Sequence, residues 1–446
     1  MLEHHISPAQ VQFHPHSFAD PDGRLFWLDG GLYRAISHEK TPFFTRLFED
    51  GTIPQLIQRG FLVGSERTDL VLDGYGMVLR HTPVPFVSYP NEWCLAMFKD
   101  AALTYLDLLK ELLSRRLTLK DTHPWNLLFD RSRPVFVDIT SITALRAHSN
   151  SPDYRKFCRY YLYPLVLMSQ GQERIVRCLL PEYDGILPSD FSLLTRGSGS
   201  LDRLISGFKS GLRSRVPQRC RELLSDIVSR IPSIPRKNSA KTRTRLETLA
   251  VLKRQIEAVS VPYAPEEYSD NLNARIQEYL LRIISQLAPV SVLTIGAKTL
   301  WYSSLAELGS KVVIFDRDSA YITRLYLESR HKRLQVLPLV MDFTDPTPSR
   351  GFSGHVSIAA AERFQCDLVL AVSLLNPLIF ERHLRFDQVV EGLAQFSKRW
   401  LIVDYSAPEN LRTTSGDLTR ALLKRFRNVS KLQLDSEGDN LLLCEK

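Results

Sequence analysis

From about Pro262 onward the sequence alternates short apolar runs with segments of helical period. The apolar runs have the length and the β-branched content of buried strands. The predicted strands are 290–296, 311–316, 335–341, 366–372, 400–403, 430–434 and 440–444, and the predicted helices among them are 271–287, 303–308 and 319–329. Such alternation is typical of a mostly parallel sheet with helices on both faces. The sequence therefore predicts an α/β fold, a Rossmann-like doubly wound domain over residues 262–446.

Polar residues follow these strands in a defined order, and ligands of doubly wound sheets bind beyond the carboxyl ends of the strands. Gly296 lies in the turn after the first strand. Asp316 ends the second strand and can accept hydrogen bonds from ribose hydroxyls, and Asp342 follows the third, placed to meet an adenine amine. This order is typical of class I methyltransferases that use S-adenosylmethionine. We expect that cofactor to be bound by Thr294, Gly296, Asp316, Asp342 and Ser373, and Asn376 is a candidate catalytic residue.

The N-terminal half carries a different motif, at 119–130 and 134–140. It resembles the catalytic loop and metal loop of protein kinases. There an Asp orients the acceptor hydroxyl, an Asn five residues later holds a metal ion, and a second Asp holds the ion that bridges the phosphates. Asp121, Asn126 and Asp138 stand at these three places. The pattern predicts a kinase-like α+β domain over residues 1–200, with Asp121 as catalytic candidate, Asn126 and Asp138 as Mg²⁺ ligands, and Mg-ATP as cofactor.

Other parts of the kinase pattern are missing from the sequence. No Gly-rich phosphate loop precedes the motif, and Asp29-Gly30-Gly31 predicts instead a tight hairpin turn. No strand carries the usual lysine, and Thr140 stands where a kinase metal loop has glycine. A kinase-like fold is therefore favoured over kinase activity. The alternative is a polar hairpin whose Asp and Asn residues cap turns.

The positive charge of the chain is concentrated between its two halves. The formal net charge is +8, and residues 201–258 contain 14 Lys or Arg against 5 Asp or Glu. Apolar residues recur at helical spacing on both sides of Pro232 and Pro235, which interrupt any helix between them. We therefore expect 201–261 to be a helical basic connector. Clustered positive charge attracts nucleic acids and anionic membranes. No aromatic residues alternate with the basic ones, so a solvated linker is favoured over a nucleic-acid contact.

Cysteine usage and hydropathy narrow the class of protein. The six cysteines form no Cys-x-x-Cys pair, so neither a zinc site nor a disulfide framework is indicated. The N-terminus has no secretory signal, and no apolar run is long enough to span a bilayer. We therefore expect a cytoplasmic protein of two or three domains without a transmembrane segment.

Several segments resemble the NoeA-type nodulation proteins and their bacterial relatives described as class I methyltransferases. The matching segments are 78–81, 86–93, 97–103, 119–121, 135–138 and 337–348. The resemblance covers most of the chain and implies a kinase-like N-terminal region joined to a methyltransferase domain. In that family an Asp is usual at the position of Thr294, and His-His-Leu is usual at the position of Asn376-Pro377-Leu378.

Three functions stay open at this point. The first is a methyltransferase of weak cofactor affinity that acts on a small-molecule, glycan or protein acceptor. The second is a kinase-like phosphotransferase centred on Asp121, Asn126 and Asp138. The third is a two-domain binding protein without catalytic activity.

Overall fold

The computed structural model describes residues 4–17, 20–145, 154–195, 245–261, 274–296, 302–351, 354, 356–405, 415–432 and 441–446. The chain forms two compact units. Unit 1 takes its residues from Met1–Cys94, Leu128–Val135 and Tyr263–Lys446, and unit 2 from Leu95–Leu127 and Phe136–Pro262. Unit 1 thus combines both ends of the sequence. The boundaries 1–200, 201–261 and 262–446 stay a prediction, and 201–244, the greater part of the predicted connector, lies outside the described residues.

The N-terminal part of unit 1 is built on an antiparallel sheet. Its strands, in spatial order, are β2 (Gln12–Phe13), β3 (Gly23–Leu28), β4 (Gly31–Ile36), β7 (Met77–His81) and β5 (Ser65–Arg67), while β1 (His4–Ile6) pairs in parallel with β6 (Leu70–Leu72). Helices α1 (Thr41–Glu49) and α2 (Thr52–Gln58) precede β5. The predicted hairpin turn is confirmed: Asp29 and Gly30 both have positive φ, 48° and 76°, as a two-residue hairpin turn requires.

Unit 2 is mainly helical. Its elements, some of which extend into unit 1, are α3 (Leu95–Ser114), β8 (Leu117–Leu119), β9 (Leu127–Asp130), β10 (Arg133–Phe136), β11 (Ile142–Ala144), α4 (Tyr154–Phe157), α5 (Tyr163–Ser169), α6 (Glu173–Leu179) and α7 (Arg245–Glu257). A π-helical turn, Cys158–Leu162, joins α4 to α5. Lys253 of α7 forms an ion pair with Asp107 of α3, with Nζ and Oδ1 2.6 Å apart. The described end of the predicted connector is therefore helical.

The C-terminal part of unit 1 contains a seven-stranded sheet. Its strands are β12 (Ser291–Ile295), β13 (Lys311–Asp316), β14 (Val336–Val340), β15 (Cys366–Ala371), β16 (Ser397–Asp404), β17 (Asn428–Lys431) and β18 (Leu441–Glu445), in the order β14-β13-β12-β15-β16-β18-β17. Strands β12 to β16 are parallel, and β18 is antiparallel to both of its neighbours. All seven predicted strands are present, and the predicted fold class is confirmed.

Helices connect these strands. They are α8 (Ala274–Leu287), α9 (Tyr302–Glu307), α10 (Ser319–Lys332), α11 (Ala360–Arg363), α12 (Phe386–Phe396) and α13 (Ser415–Leu423). The parallel strands β12 to β16 are largely apolar and buried, as expected for a parallel sheet covered on both faces. The edge strand β17 is polar and mostly exposed. None of the described helices is both long and apolar enough to cross a membrane.

A buried ion pair lies within unit 1, between residues 271 positions apart in the sequence. Arg363, at the end of α11, meets Glu92 with Nη2 and Oε1 2.5 Å apart, and the two side chains are 3% and 1% exposed. Arg363 also donates to the Val87 carbonyl, and its guanidinium lies 4.1 Å from the centre of the Tyr89 ring. The segment that precedes α3 is therefore fixed to the C-terminal part of the same unit.

Candidate functional site

The carboxyl ends of β12 to β15 meet at one edge of the C-terminal sheet, because these strands are parallel. Gly296, Asp316, Asp342 and Ser373 follow or end the four strands and so share this edge. Strands β12 and β15 are neighbours although β13 and β14 lie between them in the sequence. The direction of winding reverses there, and the crevice at such a reversal is the usual ligand site of doubly wound sheets.

Gly296 is held in a conformation that favours glycine. Its φ is 71°, and a Cβ atom at this position would lie 2.8 Å from Cδ1 of Leu374, which follows β15. The Gly296 N–H donates to the Phe315 carbonyl at 3.1 Å. Any side chain would therefore combine left-handed backbone with a steric clash. Leu374 thus occupies the space that a side chain of Gly296 would need, and the residues that follow, 297–301, lie outside the described residues.

Asp316 is buried at the end of β13, with 8% of its surface exposed. Its Oδ1 accepts a hydrogen bond from the Asp318 N–H at 2.8 Å. Asp318 in turn caps α10 by accepting from Ala320 N and Tyr321 N. These bonds fix the turn after β13 and orient the carboxylate, which has several acceptor positions.

Asp342, the predicted adenine contact, already has a cationic partner. Arg382 donates to it from Nη2 to Oδ2 at 3.0 Å, and Thr344 donates to Oδ1 from N at 2.9 Å and from Oγ1 at 2.7 Å. Partial burial acts to raise the pKa of Asp342, but the hydrogen bonds from Thr344 and Arg382 together outweigh it and lower the pKa below its ordinary value. Sequence reasoning missed Arg382, since nothing in the pattern linked it to Asp342.

Ser373 adopts left-handed backbone, with φ of 59°, which is uncommon for a residue other than glycine. Its N–H donates to Oδ1 of Asp404 at 2.6 Å. Asp404 ends β16, the strand next to β15. Sequence reasoning missed Asp404 as well, although an acid at the end of a predicted strand was the same signal that identified Asp316.

Buried polar oxygens without a hydrogen-bond partner lie on the elements of this edge. Within the part of the chain that the structure describes, Oγ1 of Thr294, Oγ of Ser319 and Oδ1 of Asn376 form no hydrogen bond. An unsatisfied buried polar group costs about 1–3 kcal/mol, so a water molecule or a ligand that bonds to these atoms would stabilise the folded chain. Two of the three residues, Thr294 and Asn376, were predicted from the sequence, and Ser319 was not.

Asp121, Asn126 and Asp138 of the kinase-like motif lie in unit 2, where backbone hydrogen bonds connect their loops. Lys120 N donates to the Ser141 carbonyl at 2.8 Å, beside the antiparallel pair β8 and β11. Val137 N donates to the Asn126 carbonyl at 2.9 Å, at the base of the β9–β10 hairpin. Asp121, Asn126 and Asp138 therefore sit on loops connected by two strand pairs.

Polar groups of these loops are bonded to one another. Thr140 Oγ1 donates to Asp138 Oδ1 at 2.6 Å, and Asp121 N donates to Ser141 Oγ at 3.2 Å. His123 is neutral at physiological pH, since burial lowers its pKa to about 3, and its Nδ1 accepts from Trp125 N at 3.3 Å. No cluster of three or more His, Cys, Asp or Glu suited to a metal occurs among the described residues. A magnesium ion here would depend on two carboxylates and one amide.

Among proteins of known sequence, the chain is similar to nodulation protein NoeA of Rhizobium meliloti (strain 1021). The two are 25% identical over 400 residues, which cover 86% of this chain and 83% of the relative. The resemblance to the NoeA-type proteins is confirmed. No protein-family profile matches the chain.

Solved structures give weaker likenesses. Magnesium protoporphyrin IX methyltransferase of Synechocystis PCC 6803, with bound S-adenosylmethionine, matches 42% of this chain and 86% of its own at a TM-score of 0.28 and 13% identity. The bifunctional kinase-methyltransferase WbdD matches 42% of each chain at a TM-score of 0.30 and 15% identity.

Proposed function

We propose that the C-terminal domain binds S-adenosylmethionine at the carboxyl edge of its sheet and transfers the methyl group to an acceptor. The observation that carries the proposal is the placement of Gly296, Asp316 and Asp342 at the carboxyl ends of three neighbouring parallel strands, beside the reversal point of the sheet. The unpartnered oxygens of Thr294, Ser319 and Asn376 on the same elements support it. Buried polar atoms that lack partners suit a bound polar ligand.

Each residue has a role in this proposal. Asp316 accepts hydrogen bonds from the ribose hydroxyls, and Asp342 accepts from the adenine amine with an acceptor position that Arg382 and Thr344 leave open. The Gly296 turn and Thr294 line the methionine part. Ser373, fixed by Asp404, holds the loop after β15 in place. The cofactor supplies an electrophilic methyl group on a sulfonium.

The acceptor is a small molecule, a glycan or a protein. We assign Asn376 to its orientation, since an amide donates and accepts hydrogen bonds but does not take a proton at neutral pH. The acceptor proton then leaves to solvent or to Asp404, the carboxylate that ends the neighbouring strand β16.

Calorimetric titration of the full chain with S-adenosylmethionine tests the proposal. Asp316→Asn removes the charge but keeps an oxygen for the Asp318 N–H. We expect it to weaken binding more than tenfold, because a charge-assisted hydrogen bond contributes about 2 kcal/mol. Asp417→Asn, on the exposed surface of α13, is the control and leaves the affinity unchanged. Equal affinity of Asp316→Asn and wild type, or no heat from wild type at millimolar ligand, contradicts the assignment.

A second candidate function is weak Mg-ATP binding at the kinase-like loops. The observation in its favour is the pairing that joins the loops of Asp121, Asn126 and Asp138. Because the sequence has no phosphate loop and no anchoring lysine, we propose that this site binds without efficient phosphoryl transfer.

A further inference from the structure

A concave surface lies in unit 1, apart from the carboxyl edge of the C-terminal sheet. It is a cleft of about 490 Å³ lined by residues of three parts of the chain: 57–64 with 82–84, the hairpin tip 130–135, and the end of α10 at 330–334. Helix α10 begins at the carboxyl edge of the sheet and runs back for 14 residues, about 20 Å at 1.5 Å per residue. Its last turn is therefore at the opposite edge from Gly296 and Asp316.

The cleft is strongly cationic. Its lining contains Arg131, Arg133, Arg330 and Arg333 against one acidic residue, Asp130. We name these four residues the arginine cleft. All four are exposed to solvent. Several guanidinium groups around one concave surface repel one another and attract anions, and each offers a planar fork of donors that fits phosphate oxygens.

Two of these arginines occupy unusual backbone. Arg131 and Arg333 have φ of 58° and 57°, values that glycine adopts without strain. The hairpin tip that carries Arg131 is fixed, since buried Ser132 donates from Oγ to the Val336 carbonyl at 3.2 Å. Strand β14, which contains Val336, begins three residues after Arg333. The bond therefore holds the hairpin arginines beside those at the end of α10.

The remaining walls are largely apolar, with Leu62, Val63, Pro83, Val84 and Leu334 among them. The volume is within the range of small-molecule sites. Four guanidinium groups on two separate segments exceed what a single carboxylate can engage. They suit a ligand with two or more negative charges and a less polar body.

We propose that the arginine cleft binds a small organic phosphate with at least two negative charges, such as a sugar bisphosphate or a diphosphate ester. The site is separate from the proposed methyltransferase edge, and neither proposal depends on the other. Arg131 and Arg133 engage the ligand from the hairpin, and Arg330 and Arg333 engage it from α10.

The test is calorimetric titration of the full chain with fructose 1,6-bisphosphate and with pyrophosphate, without divalent metal. The double variant Arg131→Gly/Arg333→Gly relieves the strained backbone, so it is expected to fold, and binding of both probes should fall at least tenfold. Arg133→Lys keeps the charge but removes the fork, and a several-fold loss is expected. Arg427→Gln, an exposed arginine at the start of the terminal hairpin, is the control.

Loss of affinity in the cleft variants with unchanged S-adenosylmethionine titrations supports the proposal. Binding that weakens as much in Arg427→Gln as in the cleft variants overturns it, because the probes then respond to overall charge. Absence of binding to correctly folded wild type also overturns it. If the double variant melts well below wild type, Arg133→Lys takes its place in the test. Unchanged affinity of Arg133→Lys for both probes then contradicts the assignment.

Discussion

The sheet edge of unit 1 and the kinase-like loops of unit 2 both carry acidic residues next to strands. The two regions differ in whether their polar side chains have hydrogen-bond partners. At the sheet edge, side-chain oxygens of Thr294, Ser319 and Asn376 have no hydrogen-bond partner among the described residues. In the loops, Thr140 already donates to Asp138, and Ser141 accepts from Asp121 N. Acidic residues on loops next to strands are therefore common to both regions, whereas buried oxygens without a partner among the described residues distinguish the sheet edge. The difference makes the sheet edge the stronger candidate for a ligand site.

The two units also differ in how deeply an ion pair of each is buried. Unit 1 contains the fully buried pair Glu92–Arg363, while the pair Asp107–Lys253 in unit 2 has side chains 35% and 38% exposed. A buried pair is costly to break, because removal of one partner leaves the other charge without compensation. An exposed pair contributes little.

The largest expected effect follows from this contrast. Glu92→Ala should lower the free energy of unfolding by about 3–5 kcal/mol, and Asp107→Ala by less than about 1 kcal/mol, measured by urea denaturation of the full chain. Replacement of both partners, Glu92→Leu with Arg363→Met, should recover much of the loss, since no charge is left buried. Equal losses of unfolding free energy in Glu92→Ala and Asp107→Ala would show that burial of the ion pair does not distinguish the two units.

The next effect concerns the Gly296 turn. Gly296→Ala and Gly309→Ala both place a side chain at positive φ, 71° and 89°, but a Cβ atom at Gly309 meets nothing within 4 Å. Both should lose about 1–2 kcal/mol of stability from backbone strain. Only Gly296→Ala should weaken S-adenosylmethionine binding, by at least tenfold, because displacement of Leu374 changes the proposed site. A parallel fall in affinity in both variants would assign the effect to stability alone.

A smaller effect concerns the acid at the sheet edge that does have a cationic partner. The pKa of Asp342, followed by ¹³C NMR, should lie below the ordinary 3.8. Arg382→Gln should raise this pKa, because the positively charged donor that opposes the effect of partial burial is then lost. Arg385→Gln, three residues away in sequence, serves as control. Because the folded-state pKa is lowered, the stabilisation is present above about pH 4 and is lost as the pH falls through the folded-state pKa. This stabilisation is about 1 kcal/mol or less, because the Asp342–Arg382 pair is partly exposed to solvent.

Sequence reasoning located the strands of the C-terminal sheet because buried parallel strands are continuous apolar runs. Gly296, Asp316 and Asp342 followed from the strand ends. It did not locate Arg382, which reaches Asp342 across 40 positions, nor the Glu92–Arg363 pair. Such contacts depend on tertiary packing and leave no local pattern. Apolar residues recur at helical spacing over 91–116. Helix α3 nevertheless begins only at Leu95, because Pro90–Glu92 forms a separate 3₁₀ turn in which Glu92 accepts from Tyr89 N.

The smallest expected effect tests the loops of unit 2. If Asp138 and Asn126 hold Mg²⁺, full-chain protein should bind Mg-ATP weakly in calorimetric titration, and Asp138→Asn should weaken that binding several-fold. Thr140→Val removes the hydroxyl that donates to Asp138 and keeps the volume of this buried side chain. It should strengthen Mg-ATP binding by no more than about tenfold, the equivalent of one hydrogen bond.

Neither change should alter S-adenosylmethionine affinity or produce efficient phosphoryl transfer, since the anchoring lysine of a kinase is missing from the sequence. Asp107→Asn is the control in the same unit and leaves Mg-ATP binding unchanged. Mg-ATP binding that is insensitive to Asp138→Asn would place the nucleotide elsewhere. No binding in wild type or in Thr140→Val would leave the loops a structural element in which Asp121 and Asn126 cap turns, and the contrast with the sheet edge would then be complete.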